Sequence, residues 1–588
     1  MTRQLPGRDD CSPWMVKISP NTWLPTEPID FLIVGGGTAG CVLASRLSED
    51  PGTRVLLAEA GRDLTQADMP PELASAYPGR THFQAEWLWT ALRASRGDGG
   101  TNQASEAWLY EQARILGGGS SINGICANRG SPYDYDEWAA RGAKGWGWSD
   151  VLPYFKKLEN DADFDEPLHG KSGPVPIQRH NLAGWTGFTR TIAKIFGDMG
   201  YAMQEDQNGP WVDGVYSTAI NVDHQGRRAG AIVYLSPEVR RRPNLTILTE
   251  TPLDHLVIAG GRVTAGQFTR SGQAITIAAR QVILSTGALQ TPIVLMKSGI
   301  GPGAHLAEHG IGVQAARPGV GENLQEHPAI GVAGFLHRAA RLSDREGHHL
   351  QALLRFSSGM AGVPPGDMHI CILSRGGWHA VGRRIGALAC WVNKSYSRGR
   401  VRLPASRDGH SEIEFRMLSD PRDMTRLKAG FRLTVQAMLA AKQAGAVLDV
   451  FPTGYSPRIR ELTRPSHLIA ALTEVAGPIM DYSTAMRRRM MTFGVGTHRS
   501  PAELAADEEL LESHLRQRVA GNWHACGSCR MGDPADPMAV TDASARVIGI
   551  EGLRVCDASL MPTVPCANIN VPVMMIAEKI AATITAGG

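Results

Sequence analysis

The sequence has no dominant charge of either sign. Sixty Lys and Arg stand against 57 Asp and Glu among 588 residues, a formal net charge of +3. That balance gives the chain as a whole no field with which to gather nucleic acid or a membrane surface. No apolar run approaches the roughly 20 residues that cross a bilayer. Met1 to Pro28 lacks the apolar core of a secretory signal and reads as an irregular extension. The nine cysteines are odd in number and scattered, which excludes a disulfide framework and fits a reducing cytoplasm. Cys526 and Cys529 form a C-x-x-C, but it has neither a thioredoxin-like context nor a second Cys or His pair. They read as structural thiols, and no metal site is expected. No repeat of fixed period occurs. What remains is an ordinary globular composition, 43% hydrophobic and 20% charged, long enough for two domains or one large composite.

The first informative stretch is Asp30 to Val34, a short apolar run of the kind that forms a strand buried on both faces. Gly35-Gly36-Gly37-Thr38-Ala39-Gly40 follows, then a helical run from Cys41 to Leu47. A second strand, Arg54 to Ala58, ends at Glu59 and Ala60. The glycines suit the G-x-G-x-x-G roles: Gly35 for the tight turn, Gly37 for close approach of a pyrophosphate, Gly40 for helix–strand packing. The helix N-terminus at Thr38 and Ala39 offers free N–H groups and partial positive charge to phosphate. Glu59 stands where an acid binds ribose hydroxyls, and an acid there disfavours a 2′-phosphate, hence NADP. FAD and NAD both satisfy this unit.

A second glycine-rich segment runs from Arg114 to Gly124, R-I-L-G-G-G-S-S-I-N-G, followed by Asn128-Arg129-Gly130. On its own it is either a tight turn or a backbone that lets a flat ligand or phosphate approach. Further blocks are Gly287-Ala288-Leu289-Gln290-Thr291-Pro292, and Arg554 to Pro562 running on through Asn568-Ile569-Asn570-Val571-Pro572. Together these resemble the signatures of the glucose-methanol-choline (GMC) family of flavoproteins, in the family's order from about Asp30 to Ala586. The resemblance implies FAD, an α/β composite fold with a Rossmann-like FAD-binding domain, and an antiparallel-sheet substrate domain. It divides the chain into FAD-binding segments 29–159, 228–327 and 520–588 and substrate segments 160–227 and 328–519. It also implies cofactor contacts at Leu116, Gly118, Ser121, Asn123, Gly124, the backbone near Leu253, Asp557, Ala558 and Val571. Members that hold FAD covalently carry a His where this chain has Ile122, so non-covalent FAD is expected.

Alcohol oxidation needs an acceptor for the hydroxyl proton and a donor to the developing alkoxide. A histidine is suited to the first task near neutral pH and an amide N–H to the second. By resemblance the two are His524, in the block G-N-W-H-A-C-G-S-C-R-M-G, and Asn570. Within the family the chain is most similar to hydroxymethylfurfural-oxidase-type and aryl-alcohol oxidases, which act on furanic and benzylic alcohols. That places Trp391, Val392 and Trp523 around the substrate, Trp523 either as a flat wall or as a packing residue. Asn522 departs from the small aliphatic usual two residues before the histidine, so oxygen and another electron acceptor both stay open. A choline-type dehydrogenase and a hydroxynitrile lyase on the same fold are the rival readings. The run Met486-Arg487-Arg488-Arg489-Met490 reads as a solvated surface or a domain-contact face.

Overall fold

In the computed structural model, which describes residues 28–97, 107–343, 347–405, 410–453, 457–496 and 498–587, the first apolar run is the strand Ile29–Val34. The extension assigned to 1–28 lies outside the described residues except for Pro28. Ile29–Val34 sits within a seven-stranded sheet, parallel to Val55–Ala58 on one side and to the end of Gln273–Leu284 on the other. Leu245–Leu248 and Leu553–Val555 extend the parallel part. Gln273–Leu284 serves two layers: its first half pairs antiparallel with Arg262–Arg270, which pairs with Leu253–Ala259 across the Gly260-Gly261 turn. The runs 246–248, 256–258 and 280–284 therefore all fall on this sheet. Strands buried on both faces need continuous apolar sequence, and Val55–Ala58 is buried at every position.

The helices Thr38–Leu47 and Asn570–Thr585 pack against each other although 532 residues separate their paired charges. Arg46 binds the fully buried carboxylate of Glu578, which also accepts from Tyr234 and pairs with Lys157. This clamp brings the N-terminal ends of both helices to one place, and Thr38 Oγ1 donates to Asn570 Oδ1 at 3.1 Å.

A second seven-stranded sheet runs in the order Val447–Thr453, Ala329–Leu336, Ile385–Val392, Met368–Leu373, Leu350–Phe356, Gly214–Ser217 and Met203–Gln204. All neighbours are antiparallel except the last pair. The 23-residue helix Pro421–Gln443 packs on one face, so close that a Cβ at Gly430 would lie 2.4 Å from Cys390 Sγ. Side chains alternate along a strand. Cys390 and, by alternation, Val392 face that helix, while Ala389 and Trp391 face the other way. The Glu- and Leu-rich stretch Ala502 to Leu515 forms two helices, Pro501–Ala506 and Glu508–Arg518. Asp507 is extended and its side chain caps the second, which interrupts the first.

A buried ion network ties the C-terminal loop to the rest. Lys394 Nζ reaches Asp134 at 2.8 Å, Glu137 at 2.7 Å and Thr563 Oγ1 at 3.0 Å. Asp134 in turn accepts from Ser131 N and Cys566 N, both at 2.8 Å. The nearby acids hold the ammonium of Lys394 above its usual range against the opposing effect of burial. Removing one partner of a buried pair leaves an uncompensated charge, at a cost of about 3–5 kcal/mol. Lys394→Met is expected to lose about that much stability in denaturant unfolding. A loss under about 1 kcal/mol would mean that the network is not what fixes the 563–568 loop.

Candidate active site

Two glycine-rich loops meet at the start of the helix Thr38–Leu47. Gly35 has φ +99°, and a Cβ there would lie 2.5 Å from Ser285 O. A Cβ at Gly40 would lie 1.9 Å from Gly35 O, so the helix can sit this close to the strand only with glycine. Gly118, at φ +54°, has its missing Cβ 2.7 Å from Gly37 Cα, which locks the two loops together. Glu59 is buried at the end of its strand and accepts from Gly36 N and Gly61 N, each at 2.7 Å. Burial raises its pKa against the pull of those N–H donors.

These loops open on a cavity of about 700 Å³. Of the expected cofactor contacts, Gly35, Gly37, Thr38, Ala39, Glu59, Ala60, Gly118, Asn123, Gly124, Leu253, Asp557 and Ala558 line it. Gly40, Leu116, Ser121 and Val571 do not, and each is buried behind the wall. Leu116 packs under Gly36, and Ser121 Oγ is turned back onto Leu116 O at 3.0 Å. Asp557 is held by Gly287 N, Thr291 Oγ1 and Ser559 N. Trp391 and Trp523 also line the cavity. Val392 does not, because its place on the strand points it toward the helix Pro421–Gln443.

At one end of the cavity stands His524, buried to 7% exposure. It is delivered by a bridge between Gln325 and Cys526, with Cys526 N donating to Gln325 O at 3.1 Å and Gln325 N to Cys526 O at 2.9 Å. That bridge sets Glu326 and His327 directly against His524. The backbone N–H of His524 lies 2.9 Å from both oxygens of Glu326. Glu326 also accepts from Tyr110 OH at 3.0 Å, and its burial pushes it up to about 7. Trp523 precedes the histidine in a left-handed conformation, φ +59°, and its indole N–H donates to Glu111 at 3.2 Å.

The contact that matters most is His327 Nδ1 to His524 Nδ1, 2.8 Å. His327 Nε2 lies 3.1 Å from Pro565 O, a carbonyl that can only accept, so Nε2 carries the hydrogen. Burial lowers His327 to about 4, so the ring is neutral and its Nδ1 is an acceptor. His524 Nδ1 must then be the donor, which leaves a lone pair on His524 Nε2. Burial, with His327 and His369 nearby, holds His524 well below the usual histidine range.

The side chain opposite that lone pair is Asn568, its Nδ2 3.1 Å from His524 Nε2. The expected partner, Asn570, is elsewhere: two residues on, it starts the last helix and its Oδ1 is taken by Thr38. Asn570 Nδ2 is buried with no hydrogen-bond partner and lines the cavity between the two helix ends. An orphaned donor there, together with glycine cradles that any Cβ would fill, fits a dinucleotide-sized flavin. The eight described cysteines, Cys526 and Cys529 included, are free and buried. No described helix is long and apolar enough to cross a membrane.

Buried neutral histidines make stability depend on pH. In the pH range below about 6.5 the unfolded chain binds protons that folded His327 and His524 do not. Stability is therefore full on the neutral side and falls as pH drops from about 6.5 toward about 4, the folded value of His327. The urea midpoint is expected to fall over this window, and more steeply in the wild type than in His327→Asn. Equal slopes would show that His327 is not held neutral.

The comparisons agree with this architecture. Two family models, both described as GMC oxidoreductase, match residues 29–329 and 395–577. The 5-(hydroxymethyl)furfural oxidase of Methylovorus sp. (strain MP688) is 40% identical over 562 residues, covering 94% of this chain and 98% of its own. An oxygen-dependent choline dehydrogenase of Sinorhizobium medicae (strain WSM419) is 30% identical, with 94% of each chain covered. Among solved structures, pyridoxine 4-oxidase from Mesorbium loti superposes with TM-score 0.78 at 27% identity, over 95% of this chain and 99% of that one. A fungal aryl-alcohol oxidase shares the fold, with TM-score 0.72 and 20% identity over 95% of this chain and 99% of its own. With both family models matched in sequence order, the chain belongs to the GMC oxidoreductases, FAD-dependent enzymes that oxidise alcohol groups.

Proposed function

We propose that the chain oxidises a primary aromatic or furanic alcohol to the aldehyde, with His524 as the base and oxygen as the electron acceptor. The observation that carries this reading is His524 Nε2, made an acceptor by His327 and shared with Asn568 Nδ2, in a residue that lines the cavity the glycine loops open. FAD held in this cavity would supply the hydride acceptor for the alcohol carbon and the route of those electrons to oxygen. Everything else falls to side chains. His524 Nε2 accepts the hydroxyl proton, and Asn568 Nδ2, beside it, donates to the same oxygen as negative charge develops. Asn570 Nδ2, with the helix ends behind it, is placed to donate to the cofactor instead. Glu59 and the two glycine loops hold the dinucleotide, without a covalent bond, since Ile122 offers no nucleophile.

The walls favour a neutral, flat substrate. Trp391 is backed by His369, stacked at 4.1 Å and 10°, and Trp523 and Trp378 complete an aromatic rim. The carboxylates on the described wall are Glu59, Glu111 and Asp557, and each is already engaged. A quaternary ammonium would need an anion to face it, so a choline-type substrate fits less well. Relatives named as a furfural oxidase and a pyridoxine oxidase support the same choice.

Anaerobic mixing with benzyl alcohol is expected to bleach the flavin, and air to restore it. Cyanide release from mandelonitrile without bleaching would instead make the protein a lyase. His524→Ala should lower kcat/KM by about 10²-fold or more. Asn568→Ala should lower kcat with flavin retained, whereas Asn570→Ala should lower flavin content first. The reverse pattern for the two asparagines would return the alkoxide role to Asn570. Flavin should stay in the supernatant after acid precipitation; a yellow pellet would show a covalent link.

A further inference from the structure

The chemistry makes no use of the helices His467–Tyr482 and Thr484–Val495, and one side of the first faces solvent with an unusual content. Leu468, Leu472, Val475, Ile479, Tyr482 and Met486 succeed one another at intervals of three or four residues, which places those of the first helix on one face. Their exposure ranges from 42% for Met486 to 90% for Tyr482. The positions beside them, Ile469, Ala471, Ala476 and Pro478, are also uncharged. Scattered single apolar residues on a surface need no explanation, but a continuous stripe does.

The charges around the stripe are sorted. The acids of the first helix are paired with arginines, Glu474, still 57% exposed, with Arg383 and Asp481 with Arg341 and Arg384. The exposed cations lie at the ends: Arg464 before the first helix, with exposed Glu461 one turn earlier, and Arg488 and Arg489 after it. From 461 to 499 there are five arginines and three acids. Arg487, the first of the three adjacent arginines, is buried on Asp449 and belongs to the packing; Arg488 reaches the other oxygen of the same carboxylate at 3.2 Å but stays 67% exposed.

We propose that this stripe is a docking face for a bilayer containing anionic lipid, with the first helix lying in the headgroup region. Apolar residues on one face, aromatic Tyr482 among them, and cations at both ends are what such a surface binds. Two copies of this chain are a poorer fit. Pairing the stripes about a twofold axis sets cations against cations whether the helices run parallel or antiparallel. A helix-pairing seam also carries charges at its flanking positions to choose the partner, and these flanks have none. The face is joined to the cavity wall: Ile459 and Thr463, just before the first helix, line the cavity, and Thr463 O accepts from the indole of Trp378 at 2.7 Å. The docking is independent of which alcohol is oxidised.

The test is co-sedimentation of the flavin-loaded full-length enzyme with vesicles of phosphatidylcholine plus phosphatidylglycerol, and of phosphatidylcholine alone. Wild-type protein is expected to pellet with the anionic vesicles. Leu472→Glu/Val475→Glu should stay in the supernatant with unchanged flavin content and unchanged turnover of dissolved benzyl alcohol. Arg488→Ser and Arg489→Ser should each lower the partition roughly fivefold, and they serve as the test if the glutamate pair fails to fold. The proposal is overturned if the wild type ignores both vesicles, or if the glutamate pair still pellets. It is equally overturned if the wild type is a dimer in solution that the glutamate pair splits.

Discussion

The site depends on one contact, the 2.8 Å approach of the Nδ1 atoms of His327 and His524. Two imidazoles can meet there only if one donates and the other accepts. The Pro565 carbonyl decides which, by claiming the hydrogen on the far nitrogen of His327. His524 is thus held in one orientation and one tautomer before any substrate arrives. Such a contact is useful only where both rings stay neutral, and burial ensures that they do.

Much of the fold exists to make that contact. The Gln325–Cys526 bridge joins the strand entering the second sheet to the C-terminal segment. Lys394 and Asp134 fix the loop that supplies both Pro565 O and Asn568. The helix pair clamped through Arg46 and Glu578 brings Asn570 beside Thr38, so the cofactor end and the base end share one cavity. The second sheet contributes by alternation: one face of its strands packs on the helix Pro421–Gln443, and the other presents Ala389 and Trp391 to the cavity.

The parallel core was legible because its signals are local. An apolar strand, three glycines and an acid at fixed spacing dictate a turn that the backbone can hardly make otherwise, and Gly35 and Gly40 are where they were expected. The partner of His524 was not. Asn568 and Asn570 are chemically identical and two residues apart, and only the start of the helix at Asn570 decides which amide faces the imidazole. Glu326 and His327 carried no local signal of their role, since that role arises from pairing with a distant segment, through the Gln325–Cys526 bridge. The only hint was a Glu-His pair inside an otherwise unremarkable loop. Val392 shows the same limit on a small scale: choosing the right strand does not choose its face.

The account stands on the placement of one hydrogen, and nitrogen-15 histidine spectra of the flavin-loaded enzyme observe it directly. His524 is expected to show a protonated Nδ1 and an unprotonated Nε2 from neutral pH down past the usual histidine range, with the pattern lost in His327→Ala. A His524 ring that carries its hydrogen on Nε2 at neutral pH, or that titrates at the usual value, would contradict it.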